Sequence, residues 1–195
     1  MEYKFITNWR VESTVEEVTE ILEQPTELPR WWPSVYLDVR ELEPGDDDGV
    51  GKIISLYTKG WLPYTLLWQL KRTESRSPHG FSIEAWGDLE GSGKWAFEQD
   101  GSWVQITYDW RVNANKPILR YLSFILKPLF SANHDWAMKR GEESLKLEIL
   151  RRHAKNEEER AAIPSPPKPT FANLIKKRRA LETIQIPASE SPEKS

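Results

Sequence analysis

Residues 104–112 read Val-Gln-Ile-Thr-Tyr-Asp-Trp-Arg-Val. The even positions are large and apolar; the odd positions are polar. Successive side chains leave a strand on opposite faces, so this stretch predicts a half-buried strand with one wet face. Further on the period changes. Phe130, Asn133, Ala137, Gly141, Leu145 and Ile149 recur every three or four residues, with Leu129, Trp136 and Met138 beside them. That spacing predicts a long helix running to about residue 160, densely charged on its other faces from Lys139 onward. A period-2 face and a helical stripe can both be buried only against one another. The pair therefore sets a sheet against a long C-terminal helix.

Working back from residue 104, more strands appear. Phe81, Ile83 and Ala85 alternate with polar neighbours, and so do Leu66, Trp68 and Leu70 within 64–72. Segments 35–42, 50–58 and 90–98 read as further strands, and Asp100-Gly101 is a hairpin signal. The chain opens with Tyr3, Phe5, Thr7, Trp9 and Val11 on one parity, again a strand. Ser13 or Thr14 then caps a short helix whose stripe is Val15, Val18, Ile21 and Leu22. Pro25 ends it, and Pro29 and Pro33 bracket a bend at Trp31-Trp32. After residue 115, Ile118, Leu119, Leu122, Ile125 and Leu126 suit a short amphipathic helix that Pro128 breaks or kinks. The order is one strand, short helices, about six strands and a long helix, which is an α+β arrangement with an antiparallel sheet.

Composition narrows the function classes. The 195 residues include no cysteine, which excludes disulfides, zinc fingers, iron–sulfur clusters and thiol catalysis. A net charge of −3 argues against a nucleic-acid binder with a basic body. No apolar run approaches the ~20 residues that cross a bilayer, and the N-terminus lacks the apolar core of a signal peptide, so a cytoplasmic protein is expected. Residues 164–195 hold six of the fourteen prolines and six Lys/Arg against three Asp/Glu. The expected division is a folded domain over 1–163 and a Pro-rich, basic, mostly disordered tail over 164–195, dispensable for folding.

The element order and several local motifs resemble the START/Bet v 1-like superfamily, also called SRPBCC or polyketide cyclase/dehydrase-like. The motifs are Trp31-Trp32-Pro33, Gly49-Val-Gly51, Lys59-Gly-Trp-Leu-Pro-Tyr64, Gly87-Asp-Leu-Glu-Gly-Ser-Gly-Lys-Trp95, Asn133-His-Asp-Trp-Ala-Met138 and Gly141-Glu-Glu-Ser-Leu145. The resemblance covers roughly residues 1–155. It implies a helix-grip fold: a curved antiparallel sheet of about seven strands wrapped around the long C-terminal helix, enclosing a cavity for a hydrophobic ligand. Members include carriers, receptors, cyclases and oxygenase domains, so the fold does not choose among functions.

Ten tryptophans dominate the candidate site. Trp68, Trp95 and Trp110 share the apolar parity of their strands with Tyr108, and Trp136 lies near the helix stripe with Phe130. They serve either as core or as an indole-lined cavity wall. Trp31, Trp32, Trp61 and Tyr64 lie in or beside proline-flanked loops, as a gate, a membrane-touching rim or a plug. Polar orientation inside a cavity falls to Tyr57, Tyr64, Tyr108, Asn133 and the indole N–H groups. Gly141 suggests close approach of the helix to the sheet. His79, His134 and His153 have no metal-ligand spacing, and no nucleophile or phosphate-loop motif is present. Asp46-Asp-Asp48 reads as a solvated loop. Lys176-Lys-Arg-Arg179 is a weak basic cluster.

The expected function is binding or transport of a small hydrophobic or amphipathic ligand in an internal cavity, without cofactor or metal. The chain is expected to be a monomer without a nucleic-acid partner or an integral membrane segment; transient membrane contact stays open. The alternatives are a polyketide cyclase or dehydratase using the same cavity, and an interaction module acting through the tail. The cavity is expected to open toward the Trp31-Trp32 and 60–64 loops.

Overall fold

A computed structural model describes residues 2–114 and 123–172. Seven strands form one antiparallel sheet in the order β1-β7-β6-β5-β4-β3-β2. They are β1 (Glu2–Glu12), β2 (Tyr36–Glu43), β3 (Ile53–Thr58), β4 (Leu66–Ser75), β5 (Gly80–Gly87), β6 (Leu89–Asp100) and β7 (Trp103–Ala114). The first strand closes against the last, with Phe5 opposite Trp110 and Trp9 opposite Ile106. Register shifts interrupt the β2–β3 and β4–β5 ladders. Such irregularities bend a sheet, and this one curves around the long helix.

The helices follow the expected order. The first, α1 (Val15–Leu22), starts where Thr14 Oγ1 accepts the Glu17 N–H at 3.3 Å, with Glu16 and Glu17 favouring its positive end. A 3-10 turn at Pro25–Glu27 leads into α2 (Leu28–Trp31). The long helix, α3 (Ser123–His153), runs through Pro128 without ending there. The separate short helix expected over 118–126 lies partly outside the described residues. Instead of reaching residue 160, α3 stops at His153, and α4 (Glu157–Ala162) begins anew. Asn156 causes the restart: its side chain accepts the Glu159 N–H at 2.8 Å, while the Glu159 carboxylate accepts the Lys155 N–H at 2.8 Å. No helix among the described residues is long and apolar enough to cross a membrane.

The core sits between the concave sheet face and α3. Val104, Ile106, Tyr108, Trp110 and Val112 are all buried, as the alternation predicts. Leu145 and Ile149 bury the C-terminal half of α3. Gly141 has a different reason from the expected one. A Cβ there would lie 2.6 Å from Trp32 Cη2 and 2.7 Å from Cε2, so the missing side chain admits the Trp32 ring. Beside this core, Glu148 is buried and accepts two hydrogen bonds from the Arg30 guanidinium, at 2.8 and 2.7 Å. That ion pair ties α2 to α3.

The first residues after Ile163 lie against the body. Thr170 reaches the loop after β3, where its hydroxyl donates to the Trp61 carbonyl at 3.0 Å and accepts from Lys59 Nζ at 2.7 Å.

Candidate functional site

The interior between sheet and helix is divided into two compartments. The first, of about 150 Å³, lies between the Phe130–Met138 part of α3, the ends of β1 and β7, and the loop after β3. Aromatic side chains supply nearly half of its lining residues: Tyr3, Phe5, Trp32, Tyr36, Tyr64, Trp68, Tyr108, Trp110 and Phe130. The second, of about 100 Å³, lies under α1 and α2 against β3–β6, with Leu28, Ile54, Ile83 and Trp95 in its lining. Trp32, Tyr36, Trp68, Tyr108 and Met138 line both and therefore form the partition.

Strand alternation places these rings. In β7 the even parity turns Tyr108 and Trp110 inward, where they stack with centroids 5.7 Å apart. Trp95, opposite Tyr108 in the ladder, stacks on it at 4.1 Å. Trp68 meets Trp110 at 5.9 Å and donates its indole N–H to Thr58 Oγ1 at 2.9 Å. Trp32 packs against Trp9 at 5.5 Å and Tyr36 at 5.0 Å.

Polar groups are few. The Tyr3 hydroxyl and the Trp32 indole N–H are buried without a hydrogen-bond partner among the described residues. Burial raises the Tyr36 and Tyr108 phenols, Tyr108 also through Tyr36, so both stay protonated donors. Burial, and less so Tyr3, pushes Tyr64 up to about 12. His134 stacks on Phe5 at 4.1 Å, with Nε2 3.3 Å from Thr7 Oγ1. Burial pushes its imidazole down to about 4, against the opposing pull of Asp135, so it is neutral at pH 7. In the lining of the second compartment Arg72 pairs with Glu23, donates to Ser75 Oγ at 3.0 Å and lies over the Phe81 ring at 5.0 Å. Its Nε–H is buried and unpartnered.

Asn133 joins the helix to the loop after β3. Its Oδ1 accepts the Leu62 N–H at 3.3 Å, and a Cβ at Gly60 would run into its amide. That loop needs glycine because the amide occupies the place of a side chain.

Seven of the twelve residues singled out from the sequence line the first compartment: Trp32, Tyr64, Trp68, Tyr108, Trp110, Phe130 and Asn133. Trp95 lines the second. The other four line neither compartment. Trp31 is 1% exposed and forms core beneath Trp32, so neither of this pair is an exposed rim. Tyr57 lies opposite Leu67 on the outer parity of β3, whereas Leu56 and Thr58 face inward. Trp61 is half-buried in its loop, with its carbonyl facing Thr170. Trp136 leaves the stripe and lies under the Arg140 guanidinium, 5.8 Å from ring to cation. Sequence reasoning passed over Lys59, Arg72, His134, Tyr3 and Tyr36, all of which line the interior. Tyr3 was legible as inward parity and His134 as the neighbour of Asn133. Among the described residues no cluster of His, Asp and Glu is placed to hold a metal ion.

No family model and no curated protein matches the chain by sequence. Solved structures do match. The chain is similar to the Zhui aromatase/cyclase from Streptomyces sp. R1128, at 14% identity and a TM-score of 0.66, over 80% of this chain and 98% of that one. It is the helix-grip fold. That is the fold the motifs led one to expect. Protein Ms6760 from Mycobacterium smegmatis matches at 14% identity and a TM-score of 0.54, over 77% of this chain and 92% of that one. The di-domain aromatase/cyclase BexL from the BE-7585A biosynthetic pathway matches at 15% identity and a TM-score of 0.56, over 80% of this chain and half of that one.

Proposed function

We propose that this chain binds a small hydrophobic or amphipathic molecule between its sheet and long helix. The observation that carries the reading is the divided interior, walled by aromatic rings yet holding donors that nothing among the described residues satisfies, Tyr3 Oη and Trp32 Nε1. Buried polar groups are normally paired, so two orphans beside a cavity favour a ligand acceptor there. Apolar burial supplies affinity at ~25 cal/mol per Å², and the donors orient the guest. Each compartment falls below the ~300 Å³ of an ordinary ligand pocket. Each alone takes a ring-sized guest; a longer one needs the partition side chains to turn aside.

A cyclase or dehydratase reading has its own support. The Tyr36 and Tyr108 phenols stand between the compartments, and Arg72, whose Nε–H has no partner among the described residues, lines the second. Such groups could hold a folded poly-carbonyl chain and donate to its oxygens. Two of the similar solved structures are aromatase/cyclases, which fits this chemistry. Native mass spectrometry of the purified chain tests binding, and incubation of any extracted guest with the protein tests turnover. Binding without turnover supports a carrier. A guest-free protein that takes up no apolar probe overturns both readings.

A further inference from the structure

Lys59 sits at the end of β3 and is 3% exposed. It is the one formally charged side chain among the described residues lining the first compartment at neutral pH, since His134 is neutral and the lining holds no carboxylate. A buried ammonium ordinarily has a carboxylate partner. Among the described residues Lys59 has none. Its Nζ donates instead to three neutral oxygens: the Gly60 carbonyl at 2.8 Å, the Thr170 carbonyl at 2.8 Å and Thr170 Oγ1 at 2.7 Å. Two of the three come from a segment beyond the last helix, reached through Pro164-Ser-Pro-Pro-Lys-Pro169. The ammonium also lies over the Phe171 ring, 5.8 Å from its centroid; none of these partners is an anion, and burial accordingly lowers the Lys59 ammonium.

We propose that Lys59 is an acid-recognition site at the first compartment, and that Thr170 fills it in the free protein as a stand-in for the carboxylate of the guest. The inference rests on the cavity-binding reading and names the class of guest: an aromatic or aliphatic body carrying one carboxylate. The two Thr170 oxygens contact one ammonium, as a carboxylate's two oxygens can. An entering acid exchanges these neutral acceptors for an anionic one, which pairs the buried ammonium with an opposite charge in a low-dielectric site. The exchange frees Thr170 and unfastens the segment that holds the Trp61 carbonyl.

The test is calorimetric titration of the full chain at pH 7 with trans-cinnamate and with the neutral, near-isosteric cinnamamide. Cinnamate should bind at least about tenfold tighter. In Lys59→Met that preference should vanish while cinnamamide binding persists, and Lys59→Arg should retain it. Thr170→Val removes one competing oxygen and should tighten cinnamate severalfold without affecting cinnamamide; this variant serves if Lys59→Met does not fold. Equal binding of the two probes to the unaltered chain, or a preference that survives Lys59→Met, overturns the acid site and leaves the cavity reading standing. No gain for cinnamate in Thr170→Val overturns the displacement. If neither probe binds, the cavity reading falls and this inference falls with it.

Discussion

Replacing Gly141 by alanine should weaken ligand binding and destabilise the protein, against the usual sign for a helical glycine. Glycine inside a helix ordinarily costs about 1 kcal/mol relative to alanine, so the substitution alone would stabilise. Here the added Cβ would stand 2.6 and 2.7 Å from two Trp32 ring carbons, where carbon atoms rest at ~3.5–4.0 Å. Trp32 must give way by about 1 Å. It is 2% exposed and hemmed by Trp9, Trp31 and Tyr36, with centroids 5.5, 5.6 and 5.0 Å away. The free direction is into the compartments it lines. Overpacking of this kind costs ~1–3 kcal/mol, so the net loss reaches about 2 kcal/mol after the helix gain. For a domain of this size that lowers the melting temperature by up to about 4–8 °C. The displaced indole also takes space from the guest, and 1-aminoanthracene affinity should fall about tenfold. Thermal melts and a fluorescence titration read the two effects. A variant that melts higher than the parent and binds the probe unchanged would refute the placement of Trp32 against the helix.

Three further outcomes follow from the same geometry. Met138→Ala opens the partition, so the variant should bind the three-ring probe 1-aminoanthracene more tightly than the parent, which must turn the partition side chains aside, at a cost of ~2–5 kcal/mol in chemical denaturation. His134 is held down to about 4 in the fold, below its ordinary ~6.5, so the unfolded chain binds more protons between those values; stability should fall as pH drops through that window, and His134→Phe should flatten the fall. Burial would raise the Glu148 carboxyl, but Arg30 and Arg152 outweigh it and hold the carboxyl below its usual range; the contribution is present above about pH 4.3, is lost as pH falls below that, and is absent at every pH in Glu148→Gln, which should cost ~1–3 kcal/mol at pH 7.

Periodicity made the frame legible and left the ends of elements obscure. The β7 alternation and the α3 stripe identify their buried faces from spacing alone, because burial at those positions depends on local geometry. The end of α3 was equally local: Asn156 and Glu159 stand at capping-box spacing, and the charge around them masked the signal. Tyr57 differs. Its facing depends on where β3 enters its ladder, and β3 begins at Ile53 with Ile54, Leu56 and Thr58 turned inward. Neighbouring hydrophobicity does not show that, because Ile53 and Ile54 are both buried. The proline-flanked Trp31-Trp32 pair read as loop and is core, because Trp32 packs on Trp9 and Tyr36 and into the space left by a glycine more than a hundred residues later.

The polar members of the site follow the same logic at greater range. A lysine at a strand end beside glycine is ordinarily solvated, and nothing within its own segment marks Lys59 as buried. Two of its three acceptors belong to a residue 111 positions away. Arg72 lies on the inner parity of β4, where an arginine reads as a break in the pattern. It is buried because Glu23 on the far side of α1 reaches it and Phe81 carries its plane. In each case the charge marks a place where local pattern and tertiary environment disagree. Such disagreement costs stability unless long-range partners compensate, and incomplete compensation singles out a site. The compensation is incomplete at both: Lys59 has neutral acceptors, and Arg72 keeps one buried N–H unpartnered. The two positive groups line different compartments of one aromatic interior, and each marks its compartment by a charge that its local pattern does not explain.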